Sequence, residues 1–274
     1  MTSLLEVEAL SIWDSRTGNV IIPGNSFQVR EGSCLAIVGE SGSGKSVTGR
    51  AIVRLNKTSL RQSGRIWFNG ENLAELSEQD MRKKRGKSIG MIWQHGMRAF
   101  DPSRVIGVHL RETLAGHFGW SRDVITDRMK TAMESVMLKN PVEVMNKYPH
   151  QLSGGMLQRI MIALALVLQP ELVIADEPTA ALDTVSQFEV VEQFIRLRER
   201  MDCALIFISH DLGIVKKLAD DVLVMKSGEI VERGTVQAIW SGAAHEYTRH
   251  LVTSRQALND HYKRMTGGGR DAER

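Results

Sequence analysis

Gly39-Glu40-Ser41-Gly42-Ser43-Gly44-Lys45-Ser46 fits the pattern GxxxxGK[ST], whose chemistry is the holding of phosphate. Its glycines let the backbone wrap closely, so that successive N–H groups face phosphate oxygens, and a helix start beyond the loop adds partial positive charge. Lys45 is placed to reach the β- and γ-phosphates of a nucleotide, and Ser46 to put its hydroxyl on Mg2+. Far downstream, Leu172-Val173-Ile174-Ala175-Asp176-Glu177 is an apolar run ending in two acids. Asp176 suits a Mg2+ shell, and Glu177 is free to orient or deprotonate an attacking water. An Asp-Glu pair after a strand is, alone, an ordinary solvated strand end or helix cap. The phosphate loop is what gives this one a chemical meaning.

Those residues need elements to hold them. Ser33 to Val38 is a continuous apolar run of strand length before the loop, and Val47 to Leu55 has a helical pattern after it. In a parallel sheet the strand ending at Asp176 can lie beside the first, with both carboxyl ends at one edge. Residues 4–31 predict short antiparallel strands broken by turns at Asp14-Ser15, Thr17-Gly18-Asn19 and Pro23-Gly24-Asn25. The sheet is expected to continue in strand-like pieces at Ile66 to Phe68 and Ile89 to Trp93, separated by a charged stretch. From about Ser103 to Gln151 the pattern is helical, with Ile125, Met129, Ala132, Met133 and Val136 marking one buried face. Beyond it, helices at 156–168, near 186–200 and near 211–219 alternate with strands at 171–175 and 204–209, which implies a parallel sheet covered on both faces. A hairpin is expected around Lys226-Ser227-Gly228, and the polar tail beyond Arg264 is expected to fray.

The 274 residues leave room for one large domain or a domain with a sizeable insertion, and 42% hydrophobic with 24% charged residues excludes wholesale disorder. A net charge of +3 is too small to argue for nucleic acid or an anionic membrane. Arg82-Lys83-Lys84-Arg85, beside Glu78 and Asp80, reads as a solvated loop. Cys34 and Cys203 lie in apolar runs without metal-ligand spacing, as buried thiols in a reducing compartment would. His95, His109 and His117 show no clean ligand spacing either. The N-terminus has no basic region of a secretory signal, and the longest apolar run, Ile160 to Leu168, is nine residues, half of the roughly 18 to 20 that a spanning helix needs. The expectation is a chain that stays in the cytoplasm.

Leu152-Ser153-Gly154-Gly155-Met156-Leu157-Gln158-Arg159 resembles the signature motif of ATP-binding-cassette proteins. Further elements appear in that family's order: Gln94 after a strand resembles the Q-loop, Ala181-Leu182-Asp183 the D-loop, and His210 in Ile208-Ser209-His210-Asp211 the switch histidine. The resemblance implies an α/β phosphate-loop NTPase core with a parallel sheet, an N-terminal antiparallel β subdomain and an inserted α-helical subdomain. Residues 4–250 would form the ATP-binding domain, with the helical part at about 103–160, and residues 251–274 a tail. ATP and Mg2+ would be the cofactors, Glu177, His210 and Gln94 catalytic, and Gln94 a third metal ligand with Ser46 and Asp176. Ser153, Gly154, Gly155 and Asp183 would join the loop in binding nucleotide. The signature N–H groups at a helix start make a second anion site, and the resemblance implies a head-to-tail dimer in which it clamps the nucleotide on the other cassette's loop. Trp13 is the candidate for stacking on adenine, with a core or surface tryptophan as the alternative.

Tyr148-Pro149-His150-Gln151, Met156, Arg85-Gly86-Lys87-Ser88-Ile89-Gly90-Met91-Ile92 and Ala244-His245-Glu246-Tyr247-Thr248-Arg249 resemble the oligopeptide, dipeptide and nickel importer branch, and residues 154–159 look most like its nickel-importing members. That branch implies transmembrane permease subunits, a second cassette of the same or a related chain, an external solute-binding protein acting indirectly, no nucleic acid, and a peripheral place on the cytoplasmic face of the membrane. The solute would be a peptide, nickel or a metal–chelator complex. Trp93, His95-Gly96 and Phe100-Asp101-Pro102 depart from the branch's usual Phe, acidic residue plus Pro, and Leu-Asn-Pro, in the segment that faces the membrane subunit. A DNA-maintenance cassette would need long heptad arms or a DNA-binding insertion, which are absent from this sequence. A non-hydrolysing scaffold is disfavoured by Glu177 and His210.

Overall fold

The computed structural model describes residues 3–94, 96–180 and 182–254; the tail expected to fray, His95 and Ala181 lie outside them. The chain opens with β1 (Ser3–Asp14), β2 (Val20–Arg30), β3 (Cys34–Val38) and α1 (Lys45–Ile52). β4 (Leu60–Phe68), β5 (Glu71–Asn72), α2 (Glu78–Lys84) and β6 (Ile89–Ile92) follow. A helical stretch holds α3 (Gly96–Ala99), α4 (Ile106–Phe118), α5 (Arg122–Ser135), α6 (Pro141–Met145) and, after a single 3-10 turn, α7 (Gly154–Leu168). Then come β7 (Leu172–Asp176), α8 (Thr184–Met201), β8 (Ala204–Ser209), α9 (Leu212–Leu218), the hairpin β9 (Asp221–Lys226) and β10 (Glu229–Thr235), and α10 (Val236–Gly242). Residues 246–254 are helical and run across the boundary expected at 250.

The first sheet is antiparallel, in the order β2-β1-β4-β5, and the second has the order β10-β9-β3-β8-β7-β6, parallel except for β10. Strand alternation in the second sheet divides the core. Leu35, Ile37, Leu172, Ile174, Ile206 and Ile208 join the cluster that includes the antiparallel sheet and α1, while Ala36, Val38, Val173, Ala175, Leu205 and Phe207 join the helical cluster. A sheet buried on both faces needs such continuous apolar strands. The face predicted for α5 is buried against this helical cluster.

Four expectations are corrected. β7 is not beside β3: β8 lies between them, pairing Ser209 with Val38 and Ile208 with Asp176, which sets the two site-bearing strand ends about 10 Å apart. The N-terminal strands are long, and Pro23-Gly24-Asn25 is not a turn but an irregularity within β2, where the register shifts between Leu10↔Asn25 and Ser11↔Pro23. The Arg82–Arg85 segment is helical rather than a loop for most of its length: Ser77 caps α2 by accepting the Asp80 N–H, and Lys83, Lys84 and Arg85 pair with Asp80, Glu71 and Glu78. Finally, β4 belongs to the antiparallel sheet and β6 to the parallel one, so the two pieces flanking that segment do not continue one sheet. Cys34 and Cys203 are buried free thiols, and burial pushes both of their pKa values up. No helix of the described residues is long and apolar enough to cross a membrane.

Candidate active site

Between β3 and α1 the chain must turn tightly over the carboxyl edge of the sheet, and two glycines make this possible. A Cβ on Gly39 would stand 2.1 Å from the Met225 carbonyl oxygen, and Gly44, the N-cap of α1, has φ +98°. The Gly228 N–H supports the loop from outside by donating to the Ser43 carbonyl at 3.0 Å, and the Asn25 side chain donates to the Gly228 carbonyl at 2.8 Å.

Lys45 is only 3% exposed. Its ammonium donates to the carbonyls of Gly39 (2.8 Å) and Glu40 (2.7 Å) and lies 3.8 Å from Glu177 Oε1. Burial pulls its pKa below the ordinary lysine value, against the opposing pull of Glu177, Asp176 and Glu40. In the first turn of α1, Ser46 donates its hydroxyl to Asp176 Oδ1 at 2.5 Å. Asp176 is fully buried, and its Oδ2 accepts from Arg50 Nη2 at 2.9 Å. The Arg50 guanidinium also lies 5.6 Å from the centre of the Trp93 ring.

Glu177 follows β7 with φ +45°, and its N–H bonds the Ile208 carbonyl at 3.0 Å. A left-handed conformation costs a non-glycine residue about 1–2 kcal/mol, and here it sets a carboxylate where three predicted residues meet. Oε1 faces Lys45; Oε2 accepts from Gln94 Nε2 at 3.1 Å and lies 3.5 Å from His210 Nδ1. The His210 side chain is 58% exposed, free to meet a group arriving from solvent. Lys45, Ser46, Gln94, Asp176, Glu177 and His210 are thus one cluster, as expected from their order in the sequence. A buried cation beside a carboxylate that can accept a proton is a pairing suited to phosphoanhydride hydrolysis.

Residues 23–180 match the family model described as ABC transporter. The chain belongs to the ABC transporter family. It is 44% identical over 266 residues to the metal-staphylopine import system ATP-binding protein CntD of Staphylococcus aureus, covering 97% of this chain and 98% of that protein. It is 43% identical over 262 residues to the oligopeptide transport ATP-binding protein OppD of Bacillus subtilis, covering 94% and 73% respectively. Among solved structures, cbiO1 of Clostridium perfringens, part of the ABC transporter complex cbiONQ, superposes with a TM-score of 0.73 at 26% identity over 96% of this chain and 99% of that one. The ATP-binding cassette MJ0796 bound to ADP and Pi shares the fold, with a TM-score of 0.75 at 23% identity over 85% and 98%. The chain is therefore an ATP-hydrolysing ABC transporter subunit.

The remaining expected residues of this ABC cassette lie on other elements. Ser153 caps α7 by accepting the Met156 N–H at 3.2 Å, with Gly154 and Gly155 opening the helix. Among the described residues no hydrogen bond joins them to loop residues 39–46. Asp183 caps α8 by accepting from the Val185 and Ser186 N–H groups, and its bonds to Ser186 hold its pKa below the usual value. Trp13, half-buried in β1, sits opposite Val20 and Arg61.

Three site residues escape sequence reasoning. Arg50 holds Asp176; Gln158, buried on α7, donates to the carbonyls of Trp93 and Gln94 at 2.9 and 3.2 Å; and the Tyr247 hydroxyl accepts the Glu40 N–H at 2.9 Å. Gln158 was visible only as part of the signature motif, and Tyr247 only as part of the branch-like segment near the end.

The donor set fits Mg2+. That ion takes one or two protein oxygens and completes its shell with phosphate and water, and the Ser46 hydroxyl and Asp176 carboxylate offer hard oxygens side by side. No group of three or more His, Cys, Asp or Glu able to hold a metal occurs among the described residues, and a metal that arrives with its nucleotide needs none. His210→Ala should lower ATP turnover by about 10- to 100-fold with ATP affinity almost unchanged. Steady-state kinetics beside equilibrium binding will tell, and unchanged turnover would demote His210 to an exposed loop residue.

Proposed function

We propose that this chain is the ATPase subunit of an importer, working on the cytoplasmic face of a membrane beneath transmembrane permease subunits to which an external binding protein delivers the solute. The observation that carries this reading is its near end-to-end likeness to an import ATP-binding protein, 97% of one chain against 98% of the other. In this reading the cassette is residues 4–250 together with the helix at 246–254 that crosses its end, and about 103–160 is its helical insertion.

The loop N–H groups and Lys45 hold the ATP phosphates, and Trp13 stacks on the adenine. Ser46, Asp176 and Gln94 hold Mg2+, which when bound neutralises charge on the phosphates. Glu177 accepts the proton of the attacking water, with Gln94 and His210 fixing its second oxygen and Lys45 beside its first. Ser153, Gly154 and Gly155 of a second cassette, the same chain or a related one, close over the nucleotide, with Asp183 at the seam. ATP closes the pair and hydrolysis reopens it, which is the mechanical stroke.

Permease contact is supported by a cleft of about 310 Å³ whose lining includes Met91, Trp93, Phe100, Leu110, Met161 and Leu164. Trp93 and Phe100 are two of the departures from the branch pattern, so this chain's cleft suits its own partner. For the solute we favour a metal–chelator complex, nickel included, over a peptide, on the strength of the relatives matched over nearly their whole length. Cells lacking this chain should lose uptake of radiolabelled metal supplied with its chelator and regain it with the wild-type chain. Loss of oligopeptide uptake instead, with metal uptake intact, would replace the metal reading by the peptide one.

A further inference from the structure

The peptide unit joining Gly39 to Glu40 is held at both ends. Its carbonyl accepts the Lys45 ammonium at 2.8 Å, and its N–H donates to the Tyr247 hydroxyl at 2.9 Å. Gly39, at φ +151° and without a Cβ, offers little steric resistance to rotation of this unit. A reversal of the unit would turn the carbonyl away from Lys45, so the two hydrogen bonds set its orientation.

Tyr247 is itself firmly placed. It is 8% exposed, in the helix of residues 246–254, and shares a core with Ile239 and Val252. Just ahead of it, the Glu232 carboxylate accepts the N–H groups of Ala244 (2.7 Å) and His245 (3.1 Å). The Lys226 ammonium lies 5.1 Å from the centre of the tyrosine ring, two residues before Gly228, whose N–H holds Ser43. The loop is therefore gripped at its start and its middle by segments from the far end of the chain.

We propose that Tyr247 is a positioning residue for Lys45, acting through the Gly39–Glu40 peptide, so that the helix at 246–254 is a working part of the nucleotide site. The proposal rests on the reading of residues 39–46 as the ATP-phosphate loop. Tyr247 touches no phosphate; it orients the carbonyl that orients the ammonium.

The test is Tyr247→Phe in the full chain, which keeps the ring and removes the acceptor. ATP Kd and KM should rise about five- to tenfold, the scale of one lost hydrogen bond, with kcat within about twofold and the melting temperature unchanged. Unchanged Kd and KM would overturn the proposal, as would a loss of affinity that merely tracks a fall in melting temperature. Glu40→Pro supplies the second arm by deleting the N–H. In that background Tyr247→Phe should cause no further loss, and a loss that persists shows that the hydroxyl acts by another route and overturns the proposal. Wild-type protein that binds no ATP would instead overturn the loop reading itself, a failure separate from one in which wild type and Tyr247→Phe bind equally.

Discussion

Glu177→Gln should bind ATP and hardly turn it over. Gln has the shape of Glu and can still meet Gln94 and His210, but its amide cannot accept the proton of a water molecule. The loss expected is about a thousandfold in turnover, within the range that general bases contribute. Lys45, 3.8 Å from Oε1, loses a countercharge but keeps its two carbonyls, so nucleotide affinity should survive. With hydrolysis blocked, the closed pair should accumulate: light scattering on the 30.6 kDa chain should show a mass that doubles on adding ATP and Mg2+. Turnover within tenfold of wild type would remove Glu177 from its role. A variant that binds ATP, stays inactive and remains a monomer would mean that the partner cassette is a different chain or that closure requires the permease.

Lys45→Ala should fail one step earlier. The ammonium is buried, and burial alone lowers its pKa, so phosphate oxygens would meet a poorly solvated cation that forms strong charge-assisted bonds. Losing them should weaken ATP binding at least about a hundredfold, roughly 2.7 kcal/mol. The readout is thermal: ATP at about 100 times the wild-type Kd should stabilise the wild-type protein by about 2.7 kcal/mol and leave Lys45→Ala almost unshifted. An equal shift in both proteins would show that Lys45 does not hold the nucleotide.

The parts of the site legible in the sequence were those written locally. Residues 39–46 carry their geometry in their own glycines, and Asp176 and Glu177 announce themselves at the end of an apolar strand. Contacts between distant segments left no such trace. Arg50 and Asp176 are 126 positions apart, Glu40 and Tyr247 207, and nothing in the residues around them names the partner. Strand order was hidden for the same reason: β3, β7 and β8 are all short, apolar and buried on both faces, so the sequence does not reveal which lies between the others. Apolar periodicity passed over α2 and α10 because each has seven residues and a single buried hydrophobic one, Met81 and Ile239. Pro23-Gly24-Asn25 carries the residues of a turn, yet β1 pairs with β2 on both sides of it, and the sheet absorbs it as a kink.

The pairing of β3 also bears on how the protein is made. Leu35 pairs with Ile206 on one side and Asp221 on the other, and the loop beyond it leans on Met225, Gly228 and Tyr247. During synthesis β3 leaves the ribosome before either of its neighbours, and it waits with both edges open until β8 and β9 emerge. At about 5–20 residues per second that wait lasts roughly ten seconds to over half a minute. A strand of five residues is a short template for mispairing, which limits the hazard of the delay. The nucleotide site is thus begun and completed about 200 residues apart, and a nascent chain cannot hold ATP in this geometry until the segments carrying Gly228 and Tyr247 have emerged.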